Sequence, residues 1–283
     1  MKNERHDWEF QREFFPDREL KAHPKPEYVM TGSITERVHL GKKEKKYDKR
    51  TLQLTDYVTP KTLLPQRPVR AFYGYKVTDW PMYNNSKLGD CTCAAVGHME
   101  QCWSSFTQAT PERPPDQAVL DLYWATGSQD DGRYCLDVLN YWRNNGFTQQ
   151  AGGKEKIVAY AEVNPLDTEM VKTAIWLFGG LYIGIGLPIT AQSQWDRWTY
   201  ISGAPADERE FGSWGGHAVN IVAFSDYNLW LITWGYKMKM SWAFWKHYVD
   251  ECYAIISPDW FNKLGASPPG FDMLTLQNDL NQL

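Results

Sequence analysis

Apolar positions along residues 90–106, DCTCAAVGHMEQCWSSF, recur at helical spacing with no proline and one interior glycine, which predicts a helix opening at Cys91. Asp90 is expected to cap it, a short carboxylate accepting from the first free amides. PPDQAVLDLYWAT (114–126) begins with a Pro-Asp start signal. RYCLDVLNYWRNNGF closes on Gly146, and PLDTEMVKTAIWLFGG predicts a fourth helix from Asp167 or Thr168 to Gly179. Then the period changes. LYIGIGLPI (181–189), HAVNIVAFS (217–225), LWLITWG (229–235) and CYAIIS (252–257) are β-rich runs divided by Gly, Asp and Asn. SWAFWKHYVDE predicts a short helix between the last two. Helices fill the first half and strands the second, so the expected architecture is α+β with two lobes.

The flanks differ. Residues 1–65 are polar, charged and rich in proline, and read as an extension or wrapping segment ahead of a body at 66–260. Residues 261–283 form a tail expected to close with a short surface helix. GKKEKKYDKR (41–50) concentrates lysine, but Glu44 and Asp48 dilute it, and a solvated linker is expected there. The first residues hold no apolar run resembling a signal peptide, and no stretch reaches membrane-spanning length, so a soluble, cytoplasmic protein is expected. With 283 residues, 43% of them hydrophobic, the chain is long enough to bury a sizeable core. A net charge of −4 argues against general nucleic-acid affinity. The 14 tryptophans and 16 tyrosines suit a wide core and a cleft that holds an extended ligand.

Five cysteines, with Cys91 and Cys93 nearly adjacent, do not make a secreted disulfide framework, and reduced thiols are expected. Cys91 is the chemically distinctive one. A helix N-terminus favours thiolate over thiol, and its unpaired amides can donate to an oxyanion. Asn85 offers a second amide donor nearby. His217 follows two glycines at the head of a strand, in GGHAV, and an imidazole is the natural base for a thiol nucleophile. The separation, 217 − 91 = 126 residues, is close to the roughly 130–150 found in one large thiol-peptidase class. Cys93 and Cys102 read as core thiols. A zinc site from Cys91, Cys93, His98 and Cys102 needs ligands that converge, and helical spacing scatters them, so neither metal nor cofactor is expected. His98, about 10 Å along the helix from Cys91, is expected to be structural.

These segments resemble the papain-like cysteine peptidases. NNSKLGDCTCAAV is similar to the family's oxyanion-and-nucleophile segment, with Cys91 on the nucleophile and Asn85 where a Gln usually stands. DDGRYCLDVLNYWRNNGF resembles the glycine-led border of the substrate cleft, which implies backbone binding at Gly132. GGLYIGIGLPI resembles the strand before the catalytic histidine, and GGHAVNIVAFS the histidine strand itself. LWLITWGYKMKMSWAFW resembles the Asn-Ser-Trp-Gly segment. The likeness runs from about residue 70 to 258 and implies a papain-like two-lobed fold, with Trp234 shielding the imidazole and Trp214 walling the cleft.

Two departures stand out. Ile232 falls at the imidazole-orienting Asn and Thr233 at the following Ser. Neighbouring strand side chains face opposite ways, so Thr233 reaches the imidazole only if the strand slips or bulges. Two functions remain open. One is a thiol peptidase acting on a peptide or protein through a thioester, using a Cys91–His217 dyad, with no nucleic-acid or membrane partner. The other is a papain-fold protein kept as a binding or structural module. By analogy with family pro-regions, residues 1–65 are expected to wrap or inhibit.

Overall fold

The computed structural model describes residues 38–58, 66–108 and 111–261, all within the compact unit Val38–Leu283. The expected tail helix, residues 1–37 and residues 59–65 lie outside the described residues.

The chain enters as an extended strap over residues 38–46 and continues to β1 (Leu52–Gln53) and β2 (Ala71–Phe72). Three helices follow, α1 (Cys91–Thr107), α2 (Asp116–Ala125) and α3 (Cys135–Asn145). A small hairpin, β3 (Phe147–Thr148) with β4 (Lys154–Glu155), leads to β5 (Ala159–Glu162) and α4 (Thr168–Phe178). The second half holds β6 (Leu181–Leu187), β7 (Arg197–Trp198), β8 (Gly215–Phe224), β9 (Asn228–Thr233), β10 (Tyr236–Ser241), α5 (Trp242–Tyr248) and β11 (Val249–Ile256). The main sheet runs β1-β5-β11-β6-β8-β9-β10-β7, with β2 added alongside β8. Its pairs are antiparallel except at the two ends, β1 with β5 and β10 with β7. The architecture is α+β, a helical part followed by a sheet.

Helix α1 is buried all round from Cys91 to Ser105, so its polar residues need partners inside the protein. Ser104 and Ser105 donate to carbonyls three residues back, Gln101 donates to the Asp79 carbonyl, and Trp103 donates to Phe178 O at 3.0 Å. Gly97 is required by packing: a Cβ there would lie 2.5 Å from the Tyr83 hydroxyl. Helix α4 matches expectation closely. Asp167 accepts from the Met170 amide as N-cap, and Gly179, at φ 71, closes the helix in the left-handed region. Strands β6, β8 and β9 are covered on both faces, which explains their nearly continuous apolar sequences.

Two expectations need correcting. Asp90 occupies the N-cap position of α1, but its carboxylate makes no capping bond to the helix amides. The lysine-rich stretch is not a solvated linker: Lys42, Lys43, Lys45 and Lys46 each pair with a carboxylate of the folded body, namely Asp250 and Glu251, Asp131, Glu162, and Asp137.

Candidate active site

The N-terminus of α1 abuts β8, and there Cys91, Asn85, His98, His217, Thr233 and Trp234 line one small cavity. The cysteine is fixed because it opens a buried helix; the histidine is fixed because β8 is an interior strand. His217 Nε2 lies 2.8 Å from Thr233 Oγ1, while its Nδ1 is buried without a hydrogen-bond partner. Thr233 therefore stands at the position that counting along the sequence gave to Ile232. The pairing of β8 with β9 sets Ile232 opposite Asn220, three residues from His217 and so on the other face, which leaves Thr233 on the face of the imidazole.

Aromatic rings hold the imidazole. Trp234 and Gly235 form the two-residue turn between β9 and β10, with φ of 47° and 81°, as a type I′ turn requires. A tryptophan in this region is strained by roughly 1–2 kcal/mol. The turn brings the indole back over His217, stacked at 4.6 Å with planes 21° apart. Trp198 meets the same imidazole edge-on at 6.5 Å. Trp214 packs 5.7 Å from Trp234, so it backs the shielding ring.

Burial disfavours charge on both Cys91 and His217. Burial pushes the Cys91 thiol up to about 12, although backbone donors at Ala218, Gly41 and Thr92 pull the other way. Burial lowers His217 to about 3, and the charge of His98 adds to the fall. His98 was expected to be remote and structural. Its Nε2 donates to Pro81 O at 2.7 Å, a buried structural bond; it also borders the cavity, and burial lowers it to about 4. Asp90, buried next to Cys91, is pushed up to about 7, chiefly by burial.

The strap explains this closure. Gly41 lies against the helix entrance so tightly that a Cβ on it would fall 1.8 Å from Gly89 O. Its carbonyl accepts from Arg133 N at 2.7 Å, and Lys43 N donates to Arg133 O at 2.9 Å, giving a parallel bridge between Lys42 and Arg133. On the other side Lys42 N donates to Gly216 O at 3.0 Å. Side chains would not fit in this channel: a Cβ on Gly216 would meet Lys42 O at 2.1 Å, and one on Gly132 would meet Gly41 O at 2.3 Å. Gly132 thus lies beneath the strap, but its N–H donates to the Tyr123 hydroxyl, and the backbone pairing falls on Arg133. Arg133 was not singled out from the sequence. Its buried guanidinium gathers carbonyls from Tyr123, Gly127, Gln129 and Gly132, and so shapes the loop ahead of α3. Asp130 accepts from Gly89 N and Tyr123 Oη, while Asp131 takes Lys43.

Asn85 is engaged as well. Its amide donates to His39 O of the strap at 2.9 Å and to Leu88 O at 3.0 Å, so one of its two protons is held by the strap. Among the described residues no group of three or more His, Cys, Asp or Glu side chains is placed to hold a metal ion.

The fold is that of the papain-like cysteine proteases. Xylellain, a cysteine protease from Xylella fastidiosa, superposes with a TM-score of 0.61 at 14% identity, over 78% of this chain and 97% of that one. Procathepsin B S9 from Trypanosoma congolense gives 0.57 at 12%, covering 80% and 88%. Digestive procathepsin L 3 of the Tenebrio molitor larval midgut gives 0.56 at 11%, covering 79% and 78%. No protein-family model and no curated protein matches the sequence.

Proposed function

We propose that this protein is a thiol peptidase whose cleft is closed by its own strap. The observation that carries this reading is the shared cavity: Cys91 at a helix N-terminus, and His217 with Nε2 held by Thr233 and Nδ1 unpartnered. With the strap withdrawn, Nδ1 takes the Cys91 proton and the sulfur attacks a peptide carbonyl carbon. The oxyanion is held by the Cys91 amide and by the Asn85 amide proton that His39 O otherwise occupies. Collapse expels the amine, which receives the proton from His217, and leaves a thioester. Water then adds, giving its proton to His217, and the acid departs as the thiol re-forms. Admitting solvent and substrate removes the burial that keeps thiol and imidazole neutral, so the ion pair can form.

The alternative is a papain-fold binding or structural module. It is favoured by the number of strap contacts, which fill the cleft and pair four lysines. Peptide hydrolysis by full-length Gly41→Ala decides between them, because any side chain at residue 41 must push the strap off Gly89. The peptidase reading expects turnover in Gly41→Ala that is lost on adding Cys91→Ser or His217→Ala. A folded Gly41→Ala protein without turnover favours the module.

A further inference from the structure

The side chain of Lys42 enters a pocket of its own, beside the cleft. Its ammonium donates to Asp250 Oδ2 at 2.8 Å and lies 3.0 Å from Glu251 Oε1, and the side chain is only 2% exposed. Successive strand residues normally face opposite ways, so two adjacent carboxylates on one ammonium need a cause. The cause is a bulge in β11, where the register with β6 shifts between Val249 and Glu251 and turns both acids to one side. Gly184 supplies the room: a Cβ there would sit 2.1 Å from Lys42 Cε and 2.5 Å from Glu251 Cγ. Glu251 is fixed from behind by the Tyr253 hydroxyl, which donates to Oε2 at 2.8 Å. Burial opposes the charge on Lys42, but Glu251 above all, with Asp250, outweighs it and holds the ammonium above its ordinary range.

Lys42 is held by its backbone as a cleft ligand, between Arg133 and Gly216, while its side chain fills a preformed acidic pocket. When the strap leaves, the Glu251 carboxylate loses the ammonium that lies 3.0 Å from it. We infer that this pocket is a lysine-recognising subsite for extended peptides bound in the cleft, and that Lys42 is its occupant in cis. The inference rests on the peptidase reading for its substrate, but the pocket's preference is independent of Cys91 chemistry. The same cleft margin adds Asp131 for a second basic residue, where Lys43 now sits.

The test uses the full-length chain carrying Gly41→Ala and Lys42→Ala, which empty the cleft, and Cys91→Ala, which prevents turnover. The probes are a fluorescent peptide of residues 38–46, VHLGKKEKK, and the same peptide with norleucine in place of Lys42. The lysine peptide is expected to bind about tenfold or more tightly than the norleucine peptide, since the alternative leaves a buried acid unpaired. Adding Glu251→Gln should erase most of that ratio. Equal affinities, or no binding by either peptide, would overturn the inference. Should the combined variant not fold, single Lys42→Ala in the otherwise unaltered chain is melted with n-butylammonium or with n-butanol. A rise in Tm with the amine alone supports the pocket, and equal effects of the two overturn it. If the lysine peptide binds while Gly41→Ala hydrolyses nothing, the thiol reading fails and the subsite stands.

Discussion

Thr233 and His217 meet side chain to side chain, Oγ1 to Nε2, at 2.8 Å inside the sheet. A hydroxyl can accept from Nε2–H, which leaves Nδ1 as the basic nitrogen in the neutral ring and still serves the imidazolium. Thr233 is a positioning residue in this account. Thr233→Val removes the acceptor and leaves a buried imidazole nitrogen unmatched, at a cost of about 1–3 kcal/mol in stability. In the Gly41→Ala background kcat should fall about 100-fold, with the acid limb of its pH profile displaced. Thr233→Ser should restore both, because it keeps the oxygen. A merely structural role would lower stability and leave the pH profile in place.

Asn85 is predicted to act on the transition state. In Gly41→Ala, the further change Asn85→Ala should lower kcat about 10²–10³-fold with a smaller change in KM. Steady-state kinetics on one peptide check this. A rise in KM at constant kcat would assign Asn85 to ground-state binding. In the strapped protein the same substitution removes bonds to His39 O and Leu88 O, and should loosen the strap as well.

Asp90 gives a pH prediction with a definite sign. Its folded-state value, raised to about 7 by burial, exceeds the ordinary 3.8, so the folded protein holds this proton more tightly than the unfolded chain. The associated stability is fully present below 3.8 and is lost as pH rises toward 7. Asp90→Asn, which cannot ionise, should therefore match wild type near pH 4 and exceed it near pH 8 by on the order of 4 kcal/mol. Urea unfolding at both pH values measures the difference. His217 and His98 act in the opposite direction: lowered to about 3 and about 4, they remove stability as pH falls below the ordinary 6.5. Substituting Asp90 should thus make the protein's acid sensitivity steeper.

Period was enough to locate most of the fold. The four long helices and the interior strands follow apolar repeats that only tertiary packing could have overridden, and α4 even keeps its capping residues. Strand β10, YKMKMS, escaped notice because its alternation is carried by Lys and Met, which are weak strand signals. Cys91 and His217 were legible because each is bound to a local feature, a helix start and a double glycine. Thr233 was not legible, because the register between β8 and β9, which sets Ile232 opposite Asn220, decides which neighbour faces the imidazole. The strap was illegible for a different reason. Its lysines meet acids 88 to 208 residues away, so nothing local distinguishes them from a solvated charge run. His98, placed away from Cys91 along α1, also borders the cavity, which follows the helix past Ala94 and Ala95, a feature that spacing along the helix does not show.

The central claim is that Cys91 and His217 form a dyad silenced by the strap. Limiting iodoacetamide across pH 4–9, read by peptide mass spectrometry, tests it on wild type, Gly41→Ala and Gly41→Ala with His217→Ala. In wild type Cys91 should stay unreactive throughout, as a buried thiol pushed up to about 12 must. In Gly41→Ala it should label ahead of the other four cysteines below pH 7, and His217→Ala should abolish that lead. A Cys91 that remains as slow in folded Gly41→Ala as in wild type, or that ignores the loss of His217, would contradict the account.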